Sequence, residues 1–245
     1  MKKSFLFLLG LIAFTTINAQ DDKANTVKFN FFGLGMRTLS FQYERTLNEN
    51  SSALLHFGYT LPRSMPGSLF QIDTIATNGS YNQVQSAKFK GGIQITPEYR
   101  YYFKGEGNDG FYLGAYLRYS RYSLEATALH RDDNLSPLKY YDFKGAWTST
   151  NVGIIMGNQW HIGESFTIDW WVLGLQYGAN KISMSASGDF STTDKNQYIA
   201  DATANFQDVP LVKGFTAGMT NTEASLKFGF PSPGFRSGLC LGFRF

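Results

Sequence analysis

Between Lys88 and Phe103 the chain alternates in kind, residue by residue. Phe89, Gly91, Ile93, Ile95, Pro97, Tyr99, Tyr101 and Phe103 hold the odd positions. Lys88, Lys90, Gly92, Gln94, Thr96, Glu98, Arg100 and Tyr102 hold the even ones, and every charge falls among them. Successive side chains of a strand point to opposite faces, so this stretch reads as a strand with one greasy and one polar face. Gly234 to Phe245 repeats the pattern: Phe235, Leu239, Leu241, Phe243 and Phe245 oppose Arg236, Gly238, Cys240, Gly242 and Arg244. Aromatic residues opposed by charges, strand after strand, describe a barrel that is apolar toward lipid and polar toward its lumen.

Eight segments carry the alternation: Val27–Leu34, Arg37–Leu47, Ala53–Leu61, Lys88–Phe103, Phe111–Glu125, Trp147–Trp160, Phe166–Tyr177 and Gly234–Phe245. After the second segment the connections alternate in length. Asn48–Ser51, Lys104–Gly110 and His161–Ser165 are short, whereas Pro62–Gln85, Ala126–Gly145 and Gly178–Pro233 are long. Outer-membrane barrels are laid out this way, with periplasmic turns and external loops. The expectation is an all-β, transmembrane, antiparallel up-and-down β-barrel of eight strands with a polar-filled lumen and both termini periplasmic. Phe215–Phe230 also alternates; it reads either as strand outside the membrane or as one of two extra strands, which would make ten. Pro97 removes a ladder hydrogen bond, so a bulge or the membrane boundary is expected there.

A soluble barrel or sandwich also alternates, but with its apolar face inward. Aromatics make up 16% of the 245 residues, and an eight-stranded interior is only just filled by side chains, so it could not house that many rings. The polar face can fill such a lumen. Glu44, Lys88, Lys90, Glu98, Arg100, Arg118, Asp169, Arg236 and Arg244 are therefore expected to form a structural polar network there, with Lys28 on the same face of the first strand. Buried charges require partners, and pairs across the lumen would supply them. Such packing leaves no wide water channel.

The N-terminus reads as a cleaved export signal over residues 1–19. Lys2 and Lys3 precede an apolar run from Phe5 to Phe14, and Asn18-Ala19 precedes Gln20. The barrel domain would then occupy residues 20–245. The run is too short for a membrane helix, and no later segment has eighteen uninterrupted apolar residues. A net charge of +3 without a basic run points to no nucleic-acid partner. The single Cys240 excludes an internal disulfide. His56, His130 and His161 fall on a lumen face, in an external loop and in a periplasmic turn, too far apart in level for a three-His metal site. His130-Arg131-Asp132-Asp133 is the most polar cluster in a long connection and reads as a solvated loop tip. No catalytic motif, metal site or cofactor site is found.

Two stretches carry a family resemblance. Thr38-Leu-Ser-Phe-Gln-Tyr-Glu-Arg-Thr-Leu47 and the ending Phe230 to Phe245 resemble an outer-membrane β-barrel family of unknown function from Gram-negative bacteria. The terminal alternation at Leu241, Phe243 and Phe245 is similar to the signal read by the barrel insertion machinery. The resemblance implies an outer-membrane location and fold, with outer-membrane lipid and that machinery as partners; it implies no activity and no catalytic residue. The expected role is structural or recognition through the three long external loops, with another envelope protein as a candidate partner, and not as an enzyme. A narrow channel for ions or small solutes is the alternative, and a lipid- or peptide-modifying barrel enzyme the third reading.

Overall fold

The computed structural model describes residues 23–65, 74–75, 81–131, 137–191, 193, 195–207 and 209–245. The export signal expected over residues 1–19 lies outside them, as do Asp132 and Asp133. The elements in order are β1 (Asn25–Asn30), a helical turn (Phe32–Gly35), β2 (Thr38–Asn48), β3 (Ser51–Thr60), β4 (Arg63–Ser64), β5 (Thr74–Ile75), β6 (Tyr81–Tyr102), β7 (Gly110–Arg131), β8 (Lys139–Ile162), β9 (Phe166–Ser187), a helix (Lys195–Gln207), β10 (Lys213–Met219) and β11 (Glu223–Arg244).

The sheet follows the order β1-β2-β3-β6-β7-β8-β9-β11, and β1 pairs back onto β11 to close an antiparallel up-and-down barrel. Eight strands lie on the closed path, while β10 pairs with β11 beyond it and the short β4 and β5 pair with β6. The start of β1 and the end of β11 meet at one rim, the turn end, where the amides of Asn25 and Phe245 donate to each other's carbonyls at 3.1 and 2.9 Å.

Three sequence expectations are corrected. The first strand stops at Asn30, and Phe32–Gly35 folds as a helical turn, because the chain must reverse there to enter β2; Arg37 takes a left-handed φ of 55° at that corner. Pro97 causes no bulge. The β6–β7 register is the same on both sides of it, and the irregularities lie at Val84/Ser86 and Phe89/Gly91, where Gly91 adopts a φ of 98°. Strands also extend into the long connections among the described residues. β6 begins at Tyr81, β7 runs on to Arg131, β8 starts at Lys139, and β9 and β11 reach Ser187 and Glu223. Tyr140, Tyr141 and His130 thus belong to strands, and Phe215–Phe230 divides between β10 and β11.

Why the extensions were hidden follows from the cross-strand register, since residues paired across strands share a face. On the outer face Tyr99, Ala115, Ile154, Leu175 and Phe235 form one row, and Ile95, Tyr119, Thr150, Ala179 and Pro231 a higher one. Phe111 to Tyr119 spans the apolar girdle, matching the roughly 9–11 residues a tilted strand needs to cross a bilayer. Above it the outer rows turn polar: Arg121, Thr148 and Lys181, then Ser123, Ala146, Ser183 and Lys227. The lumen side changes in the opposite sense. Gln94, Ser120, Ser149 and Asn180 line it at the top of the girdle. The next row is Gly92, Tyr122, Trp147, Ile182 and Phe228, and the one beyond is Phe89, Leu124, Gly145, Met184 and Leu226. Beyond the girdle the wall is polar outside and apolar inside, as water on its outer surface requires.

Candidate functional site

The lumen within the girdle is closed by paired charges. Lys28 on β1 and Arg100 on β6 share the carboxylate of Asp169 on β9, each with its nitrogen 2.7 Å from Oδ2. Lys28 also meets Glu44 of β2 at 2.6 Å and bonds Gln159 of β8. Arg100 Nε donates to Glu98 at 2.6 Å, and Arg236 Nη2 of β11 reaches the other Glu98 oxygen at 3.2 Å. Three cations thus face three carboxylates. The side chains of Lys28, Glu44, Glu98, Arg100 and Asp169 are all 0% exposed. Charge so far from water persists only when paired and hydrogen-bonded, and neutral donors add to the carboxylates' bonds. Tyr102 donates to Glu44 at 2.7 Å and Tyr112 to Asp169 at 2.8 Å.

Rings seal the space that the ion pairs leave. The Arg100 guanidinium lies 4.2 Å from the Tyr112 ring centre, and Arg236 lies 4.3 Å from Trp171 and 4.6 Å from Tyr116. Tyr102, Tyr112, Tyr116, Ile155, Trp171 and Cys240 form one buried cluster. Ile155, which interrupts the polar face in the sequence, is its aliphatic member. Trp171 Nε1 donates to Cys240 Sγ at 3.4 Å, so the lone cysteine packs inside.

Of the residues expected in the lumen network, the structure brings Glu44, Glu98, Arg100, Asp169 and Arg236 together. Arg118 stands one level above, bonded to Gln94. Arg244 lies at the turn end, where its Nη1 is 2.9 Å from His161 Nδ1. Lys88 and Lys90 are not in the lumen. They are exposed, and Lys90 pairs with Glu125 at 3.1 Å on the outer surface. The irregularity at Phe89/Gly91 shifts β6 by one residue, and such a slip moves every following side chain to the opposite face. Tyr102, Tyr112, Tyr116 and Trp171, the aromatic members of the plug, were not singled out from sequence; their signal was an aromatic on the otherwise polar face. Among the described residues no group of three or more His, Cys, Asp or Glu side chains is placed to hold a metal ion.

At the turn end Asp109 accepts from Lys104 Nζ at 2.6 Å and from the His161 amide at 3.2 Å. Burial favours its neutral form, but the Lys104 hydrogen bond and nearby positive charge outweigh that and hold the carboxyl below its ordinary 3.8. A depressed carboxyl stabilises the fold above its unfolded value and loses that contribution as the pH falls through the lowered one. Asp109→Asn should therefore lower stability at neutral pH, with the difference from wild type shrinking as the pH falls below about 4. Urea unfolding in micelles across that range is the check, and parallel profiles for the two proteins would count against the assignment.

These features define a class: a membrane-type antiparallel β-barrel with an aromatic outer girdle and a lumen closed by ion pairs. The chain belongs to the family described as "Protein of unknown function (DUF3575)", which matches residues 5–209. No curated protein matches it. Among solved structures it is similar to that of the outer membrane protease OmpT from Escherichia coli. The identity is 10% and the TM-score 0.35, over 94% of this chain and 99% of that one. That likeness transfers no residue and no chemistry. It does correct one sequence expectation: with a protease among the matched structures, the expectation that this chain is not an enzyme no longer stands, and its enzymatic status is open.

Proposed function

We propose that this protein is an outer-membrane barrel of a Gram-negative envelope that acts by recognition at its distal end rather than by conduction. The observation that carries the reading is the plug: Lys28, Glu44, Glu98, Arg100 and Asp169 fill the section inside the girdle and are wholly shielded from water. The extended strands support the second half, because β6, β7, β8, β9 and β11 hold 22 to 24 residues each, about twice what a bilayer crossing uses. Recognition is assigned to this rigid wall, where the sequence expectation placed it in loops. In this reading residues 1–19 are removed on export, and Leu241, Phe243 and Phe245 present the insertion signal. Both termini face the periplasm, and outer-membrane lipid surrounds the girdle. The refolded barrel should be electrically silent in planar bilayers. Stable single-channel steps from the wild-type protein would sink the reading.

A further inference from the structure

The apolar lumen-side wall above the girdle is open to water. β2 and β3 end at Thr38 and Thr60, level with Gly92, and β1 stops lower at Asn30, so the ring of strands is complete no higher than that row. Above it β6, β7, β8, β9 and β11 continue as a trough, and among the described residues only β4 and β5 extend the β6 edge. Trp147, Phe143 and Met184 are 46%, 42% and 43% exposed on this inner wall. Contiguous exposed apolar surface of this kind marks an interaction surface or a ligand-binding groove.

The trough has two dissimilar ends. At the distal end Phe190 packs against Tyr141, 5.0 Å between ring centres, and joins Ala186, Ala224 and Tyr198 of the helix in an apolar cap. At the base the Tyr122 hydroxyl accepts from Gln94 Nε2 at 2.7 Å, and Gln94 Oε1 accepts from Arg118. Trp147 Nε1 donates to Asn180 at 2.9 Å, which holds the indole against Tyr122 with 5.6 Å between the rings. Arg118 is part-exposed, and among the described residues no carboxylate pairs with it. A guanidinium without a described carboxylate partner, at the foot of an aromatic wall, complements an anionic head beneath a greasy tail. From Tyr122 to Ala128 the wall rises about 20 Å, the length of an extended long-chain alkyl group.

We propose that this trough binds a single-chain amphiphile with a carboxylate head, the head on Arg118 and the alkyl chain along Tyr122, Trp147, Phe143 and Met184. The proposal rests on the recognition reading and gives it a ligand class. The probe is 11-(dansylamino)undecanoic acid, titrated into the full-length protein in nanodiscs with empty nanodiscs subtracted, reading energy transfer from Trp147. Wild type should saturate, and Trp147→Phe should lose most of the transfer. Arg118→Gln should weaken the acid at least tenfold while leaving the corresponding methyl ester unchanged. Phe143→Ser should weaken both. Each variant is first shown to keep heat-modifiable barrel migration. No saturable signal above empty nanodiscs, or equal weakening of acid and ester in Arg118→Gln, would overturn the proposal. Channel activity would instead sink the recognition reading, so failure of one is separable from failure of the other.

Discussion

Replacing Asp169 by Ala should lower barrel stability by about 3–5 kcal/mol, the range for removing one partner of a buried ion pair. Asp169 Oδ2 lies 2.7 Å from both Lys28 Nζ and Arg100 Nη1, and Oδ1 accepts from Tyr112 at 2.8 Å. Truncation leaves the three bases of the plug, Lys28, Arg100 and Arg236, with only two carboxylates, Glu44 and Glu98, and one positive charge in excess. Water cannot reach them, so the cost is that of an uncompensated buried charge rather than of a lost contact. Urea unfolding in micelles, followed by the shift between folded and unfolded bands on a gel, gives the number. The double variant Lys28→Met with Asp169→Leu restores charge balance and should recover much of the loss. A stability unchanged by Asp169→Ala would mean that the charges are solvated and that the plug does not close the lumen.

Gly238→Val should cost about 3 kcal/mol, the upper end for overpacking a filled interior. A Cβ at Gly238 would fall within the indole of Trp171, against Cζ2, Cε2 and Cη2. The ring has nowhere to go, because Arg236 stacks on it and its nitrogen is bonded to Cys240. The expected result is a lower urea midpoint and a smaller heat-modifiable fraction after refolding. Leu241→Val, three positions along β11 on the lipid side, is the control and should stay near wild type. If Gly238→Val were as stable as that control, the tight packing of Trp171 against β11 would be wrong.

Much of this architecture could be read before any coordinates. Side-chain direction along a strand repeats every two residues whatever the strand pairs with, so the girdle faces of Phe111–Tyr119 and Leu239–Phe245 were legible locally. So were the short turns at Asn48–Ser51, Lys104–Gly110 and His161–Ser165, whose compositions stop strands. The inward placement of Glu44, Glu98, Arg100, Asp169 and Arg236 followed from the same parity once lipid was taken as the outer solvent.

Parity fails where a strand slips. The irregularity at Phe89/Gly91 moves Lys88 and Lys90 to the outside, and an extra residue between Trp171 and Gly174, opposite both β8 and β11, changes the phase of upper β9. Nothing in the alternation marks those points, because a bulge is settled by the neighbouring strand's hydrogen bonds. The distal half was missed for a related reason. Where the outer solvent changes from acyl chains to water, the sense of the alternation inverts, and a polar outer row such as Arg121, Thr148 and Lys181 resembles loop composition. Which charges pair is also beyond one-dimensional inspection. Lys28 and Asp169 stand 141 positions apart, and only closure of β1 onto β11 carries them to one level of the lumen. Faces are a local property of the backbone, whereas partners and phase belong to the closed ring.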